Sequence, residues 1–208
     1  MAELSLQKAF KLHNQARMQI QVFEKTADFC ARTLSALESV EETPFIIAQK
    51  GVLRTQLTLC FINLDFCAAI RQYLSTDTST HYEKRQAMTK INIVMSEGYK
   101  KIYGFKEQQQ RKSFWISQIK TAVDLLGVCN AEFDRIEEGI LRNFESDNIF
   151  NQDMRDLSVH YDKDPLKVYK MLSDLSAEEV TDRCLKFFAL LAEVSGFVSK
   201  LITQMSRE

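Results

Sequence analysis

Apolar residues recur every three or four positions along most of this chain, which is the spacing of one face of an α-helix. Long stripes run from Leu4 to about Leu37, from Thr43 to about Leu74 and from Tyr82 to about Gly104. Two further stripes run from Phe114 to about Phe144 and from Val180 to Leu201. No segment alternates apolar and polar residues as a strand would. The pattern therefore predicts an all-α protein.

Cap and turn residues separate these stripes. Thr43 before Pro44 is typical of a helix start, as is Asp164 before Pro165, because proline is tolerated at the first helical position. Ser176 and Glu179 have the spacing of a capping box. We therefore expect one domain over residues 1–208. It would be an up-and-down antiparallel bundle of four long helices, with short helices near residue 160 and a long C-terminal helix.

In the first helix, the apolar stripe predicts that Leu6, Phe10, Phe23 and Cys30 face the core. The most apolar stretch of the chain, Leu57 to Ile70, is interrupted by polar residues and is shorter than the ~20 residues of a membrane span. We predict a buried helix there and no membrane association.

The net charge of −1 gives no overall attraction to nucleic acid, so a polyanion would have to bind a local basic patch. The five cysteines form no C-x-x-C pair and have no histidine at metal-ligand spacing, which indicates buried thiols in a reducing compartment. The N-terminus resembles neither a secretory signal nor an anchor. These features together predict a cytoplasmic protein.

The residues that point to chemistry lie between Arg155 and Tyr161, in the sequence R-D-L-S-V-H-Y. His160 can transfer protons near neutral pH, and Arg155 offers a charged planar fork of donors that matches phosphate oxygens. Asp156 lies four residues before His160, on the same helical face, and can orient the imidazole. Together these groups can cleave RNA without a metal, by attack of the 2′-hydroxyl on the adjacent phosphate.

Arg155 and His160 would point about 140° apart on an ideal helix, so one regular helix would not bring them together. Either the last helical turn is distorted, or two copies of the chain form a dimer. In the dimer, Arg155 and His160 from both copies would line one cleft. We favour the second arrangement, in which activity requires a homodimer.

The arginine, the polar residue after it and the following histidine resemble the motif of the HEPN superfamily of helical-bundle proteins. The resemblance implies a metal-independent endoribonuclease that needs no cofactor, is usually dimeric, and often acts as a toxin or in defence against phage. By motif position, the catalytic roles would fall to Arg155, Asp156 and His160. An antitoxin protein is then a possible partner.

A second group of residues has the composition of an RNA-binding surface. Lys101, Lys106, Arg111 and Lys112 could contact backbone phosphates, with Tyr161 as a further RNA-binding candidate. The nearby rings of Tyr103, Phe105 and Trp115 have the chemistry to stack on bases. The more common explanation of such a cluster is a solvated turn.

Other functions remain open or are disfavoured. The protein could be a non-catalytic interaction or scaffold module, in which the Asp156–His160 pair and Arg155 only stabilise a helix end. A carboxylate-bridged metal site would need Glu-x-x-His pairs, and the sequence contains none. There is also no glycine-rich phosphate loop.

Overall fold

The computed structural model describes residues 6–75, 80–142 and 165–207, and all of the regular structure in these ranges is helical. The prediction of an all-α bundle is therefore confirmed. Two π-helical segments, Trp115–Lys120 and Glu137–Arg142, adjoin α-helices. In chain order the α-helices are α1 Leu6–Leu37, α2 Pro44–Leu74, α3 His81–Ile102, α4 Glu107–Gln110, α5 Thr121–Leu126, α6 Asn130–Ile136, α7 Pro165–Ser173 and α8 Ala177–Met205.

The predicted start of α2 is confirmed. Thr43 has extended backbone geometry and its side-chain oxygen accepts a hydrogen bond from the Ile46 amide at 3.2 Å, while Pro44 occupies the first helical position. Ser176 caps α8 through the Glu179 amide in the same way. Both helices thus begin where a side-chain oxygen can satisfy an otherwise unpaired amide.

Helix α1 packs on α2, and its buried side chains, all on one face, are Leu12, Ala16, Phe23 and Cys30. The prediction that Phe10 belongs to this face is wrong, because its side chain is 68% exposed. The four buried residues lie within about 40° of one another around the helix, whereas Phe10 lies on the far side. The helical spacing of Phe10 suggested a place on the buried face, but the tertiary contacts bury a different side of α1.

Helix α2 is the central helix and packs against α1, α3, α5 and α8. It is also long and apolar enough to cross a membrane by length and composition alone, but 56% of its most apolar window is buried inside the bundle. Within the stretch predicted to be buried, Asn63 is fully buried and its amide donates to the Leu59 carbonyl, whereas Asp65 is exposed. We therefore interpret α2 as the core helix of the bundle.

The centre of the core lies where α2, α3 and α8 meet. The ring of Phe66 contacts those of Phe187 and Phe188, with centroid separations of 5.0 and 4.7 Å. Gly98 of α3 lies so close to this cluster that an added Cβ would be 2.7 Å from Ile62. The apolar stripe predicted for α8 is buried as expected, namely Val180, Cys184, Phe187, Phe188, Leu191, Val194, Val198 and Leu201.

The prediction of one continuous long helix from Phe114 to about Phe144 is wrong. Helix α5 ends at Gly127, which has a left-handed φ of 65°, and Cys129 has a left-handed φ of 63° before α6 begins. Two π-helical segments further divide the stretch. The apolar spacing continues across the break because both halves bury residues in the same core, and so periodicity alone could not reveal it.

Candidate functional site

The predicted catalytic residues Arg155, Asp156 and His160, together with Tyr161, lie outside the described residues. The described structure does show what holds the two ends of the chain around them. Upstream, the chain is described up to Arg142 at the end of the second π-helical segment. Downstream, it is described again from Pro165 at the start of α7.

The upstream end is attached to α3 by a buried hydrogen bond. Tyr99 Oη donates to the main-chain oxygen of Leu141 at 2.5 Å, and neither residue is exposed to solvent. Tyr99 therefore connects the end of the π-helical segment to the side of α3.

A polar network lies beside this hydrogen bond. Tyr103 Oη donates to Glu137 Oε1 at 3.4 Å, and the Arg142 guanidinium lies 3.5 Å from the same carboxylate oxygen. Tyr103 is almost fully buried, whereas the Arg142 side chain is 60% exposed. The network joins the first and last residues of the π-helical segment to the residue that ends α3.

Burial raises the pKa of Tyr103 above its ordinary value, although its hydrogen bond with Arg142 acts in the opposite direction. The pKa of Arg142 is raised in turn, mainly because its guanidinium bonds to Tyr103. Tyr103 is thus a neutral donor and Arg142 a cation near neutral pH. We therefore assign this network a positioning role, since none of these shifts brings a group toward neutral titration.

The downstream end also contacts α3. Helix α7 packs on α3, and Arg85 Nη1 donates to Ser173 Oγ at 3.5 Å. Arg85 and Tyr99 are about 21 Å apart along α3 at 1.5 Å per residue. Both elements that flank the motif are therefore attached to the same helix.

The predicted phosphate-binding residues lie around the end of α3 and around α4. The side chains of Lys101, Lys106 and Lys112 are exposed. Arg111 is exposed as well but forms an ion pair with Glu107, one turn earlier in the chain. Three of the four cations are thus accessible to a polyanion, and the fourth is partly neutralised.

The less favoured interpretation of this cluster, in which the neighbouring aromatic rings stack on bases, does not fit two of the three rings. Trp115 is 1% exposed and stacks on Phe133 with a centroid separation of 4.7 Å, and Tyr103 is 3% exposed. Phe105 is partly buried and packs against Tyr99. These rings form core contacts, so any RNA contact in this region would be mainly electrostatic.

Four of the five cysteines are unsuited to nucleophilic chemistry. Cys30, Cys60, Cys67 and Cys184 are buried free thiols, which confirms the prediction for these four, and Cys129 is half-buried. Burial raises the pKa of Cys30 to about 11 and the pKa values of Cys60 and Cys67 to about 12. Because the thiolate is the reactive form, these thiols stay inert near neutral pH.

Within the described ranges, no group of three or more His, Cys, Asp or Glu side chains could hold a metal ion. The two histidines in these ranges, His13 and His81, are both exposed. The role of His160 as proton-transfer group stays a prediction, because His160 lies outside the described residues.

No family model, no curated protein and no solved structure matches this chain. The HEPN resemblance therefore stays a prediction that depends on the R-D-L-S-V-H motif.

Sequence reasoning missed the network of Tyr99, Tyr103, Glu137 and Arg142. The spacing of Tyr99 and Tyr103 places both on one face of α3, which is a usable signal. Their partners come from a segment that was predicted as regular helix. Nothing in the local sequence indicates that this segment has its carbonyl and carboxylate beside α3.

Proposed function

We propose that this protein is a metal-independent endoribonuclease of HEPN type that works as a homodimer in the cytoplasm. The observation that carries the proposal is the R-D-L-S-V-H motif within an all-α bundle whose described elements on either side of the motif are both hydrogen-bonded to α3. Catalysis requires that the reacting groups be held in a fixed geometry. Attachment of the chain on both sides of the motif is consistent with that requirement for Arg155 and His160.

In the proposed reaction the 2′-hydroxyl of a ribose attacks the adjacent phosphorus, and the bond from phosphorus to the 5′-oxygen breaks. The proton of the 2′-hydroxyl passes to a histidine, and the departing 5′-oxygen gains a proton. The products are a 2′,3′-cyclic phosphate and a 5′-hydroxyl end. His160 would transfer protons, Arg155 would neutralise the charge on the phosphate, and Asp156 would orient the imidazole.

A homodimer is the arrangement that we favour for the motif. Because Arg155 and His160 would point about 140° apart on a regular helix, pairing of two copies would bring both groups to one phosphate, whereas a distorted last turn would do so within one copy. The exposed Lys101, Lys106 and Lys112 would attract the RNA backbone toward this cleft. A toxin–antitoxin or phage-defence setting, with an antitoxin protein as partner, is the biological role that the resemblance implies.

The test is cleavage of single-stranded RNA by the purified protein in the presence of EDTA. We expect cleavage by the wild type and a loss of roughly 10²- to 10⁴-fold in rate for His160→Ala, the usual contribution of one acid–base group. His13→Ala and His81→Ala are matched controls, because both histidines are exposed and lie outside the motif. Arg155→Lys should also lose activity, since lysine keeps the charge but not the planar fork.

Thermal unfolding separates the ribonuclease from the non-catalytic module. If the motif is catalytic, Arg155→Ala and His160→Ala should melt within a degree or two of wild type, because side chains that contact substrate rather than the core contribute little to stability. A drop of several degrees with no cleavage by wild type would instead support a structural role for the motif.

A further inference from the structure

Helix α1 exposes a second apolar face, although it already packs on α2. Met18, Val22 and Phe29 are 69%, 59% and 55% exposed. Around the helix they lie about 80° to 120° from the face that contacts α2. Isolated exposed apolar residues are ordinary, but several on one face of a helix mark an interaction surface.

The exposed apolar residues belong to a regular seam. We define the α1 seam as Met18, Val22, Lys25, Phe29, Arg32 and Ala36, which follow one another in alternating steps of four and three residues. All six are exposed. This alternation is the spacing by which one helix packs along another in a coiled coil.

No described neighbour covers the seam. Apart from α2, the described element that packs on α1 is α8, near the start of α1. There Lys8 forms ion pairs with Glu178 and Asp182, each at 3.0 Å. The seam lies further along α1 and faces outward.

The charges of the seam distinguish among possible occupants. Lys25 and Arg32 contribute two cations, and the seam contains no acidic residue. Asp28 lies 3.9 Å from Arg32, which is the outer limit of an ion pair and much longer than the Arg111–Glu107 contact, so this pair neutralises little.

A second copy of the chain is a poor match. Parallel pairing would place Lys25 against Lys25 and Arg32 against Arg32, and like charges across a seam are unfavourable. Antiparallel pairing centred between Val22 and Lys25 would place Lys25 against Val22 and Arg32 against Gln15. Neither arrangement gives the two cations a carboxylate from the partner seam.

We infer that the α1 seam is a docking site for an amphipathic helix of a different protein. That helix would place apolar side chains against Met18, Val22 and Phe29, and carboxylates against Lys25 and Arg32. The apolar contacts would supply affinity, and the two charge contacts would select the partner and its register. This inference does not depend on the ribonuclease chemistry.

The test uses two synthetic helices of about four heptads that share one leucine seam. One has glutamate and the other lysine at the positions that flank the leucines. Fluorescence anisotropy should show that the glutamate peptide binds the full-length protein at least ~10-fold more tightly than the lysine peptide. Phe29→Glu should weaken binding of the glutamate peptide by at least ~10-fold, because it places a charge in the apolar contact.

A charge-reversal variant gives the most discriminating version of this binding experiment. Lys25→Glu combined with Arg32→Glu should reverse the preference, so that the lysine peptide binds more tightly, a gain that a misfolded variant would not show. Arg17→Glu is the matched control, since Arg17 is exposed on α1 but lies about 100° from the centre of the seam. It should leave the preference unchanged.

Three results would overturn the inference. One is equal binding of both peptides. A second is a dimer in sedimentation that Phe29→Glu dissociates, which would make a second copy the occupant. The third is binding to anionic phospholipid vesicles that Phe29→Glu abolishes while neither peptide binds, which would make the seam a membrane contact.

Discussion

Tyr99 on α3 donates a hydrogen bond to the main-chain oxygen of Leu141 across 2.5 Å, in a part of the core where neither residue is exposed. The two residues are 42 positions apart in the chain. Their contact joins the central bundle to the last described turn before the motif.

Tyr99→Phe should reduce the free energy of unfolding by about 1 to 3 kcal/mol, because the substitution leaves the buried Leu141 carbonyl without its donor. Urea unfolding followed by circular dichroism measures the loss. Tyr169→Phe is the matched control, since Tyr169 is 64% exposed and should change stability by less than about 0.5 kcal/mol. Equal stability of the two variants would contradict a structural role for this bond.

Gly98→Ala should destabilise the protein by about 1 to 3 kcal/mol, the usual cost of overpacking a core. The added methyl would lie 2.7 Å from Ile62 Cγ2 and 3.2 Å from Phe187 Cζ, so α3 and its neighbours would have to separate. Gly196→Ala offers a control of opposite sign. Gly196 lies inside α8, and apart from its chain neighbours and the local helix backbone no atom lies within 4 Å of the new methyl, so the substitution should stabilise by about 0.5 to 1 kcal/mol.

Stability should fall as the pH rises from about 9 toward 12. Burial raises the pKa of Cys30 to about 11 and those of Cys60 and Cys67 to about 12, from an ordinary value of 9.0. In this window the thiols of the unfolded chain ionise while those of the folded chain stay protonated, so unfolding releases protons and alkali favours it. Burial of Tyr73 and Tyr103 acts in the same direction above pH 10.

Urea titrations at several alkaline pH values measure this slope. Cys67→Ala should make the decline shallower, because one of the shifted groups is gone. A Cys67→Ala protein with the same slope as wild type would contradict the assignment to the thiols.

If the basic residues near α4 bind RNA, Lys106→Gln should reduce the slope of log affinity against log salt by about one unit. Arg111→Gln should have a smaller effect, because Arg111 already pairs with Glu107. Filter binding at several salt concentrations gives these slopes. Arg54→Gln, which removes an exposed cation from α2, is the control and should leave the slope as in wild type. Equal slopes for all three variants would remove this cluster from the RNA-binding surface.

For the candidate site, the sequence predicts only what depends on residues close together in the chain. The residue types and spacing of Arg155, Asp156 and His160 indicate a reaction, because a cation, a carboxylate and a neutral-range proton carrier occur within two turns. The supporting contacts of Tyr99 and Tyr103 were not predictable. They join α3 to a π-helical segment distant in sequence, and no local pattern encodes that pairing.

The sequence by itself determined the helical class, the starts of α2 and α8, and the buried face of α8. These features depend on neighbours within one or two turns, such as the Thr43 and Ser176 caps, or on a single broad apolar stripe. Only the tertiary structure decided which of the two apolar faces of α1 contacts α2, that the helix after Phe114 breaks at Gly127, and that Trp115 is buried. These outcomes depend on the shape of neighbouring helices. Which apolar residues become buried is decided by which side chains fill the space between two particular helices, and this is not visible in the local sequence.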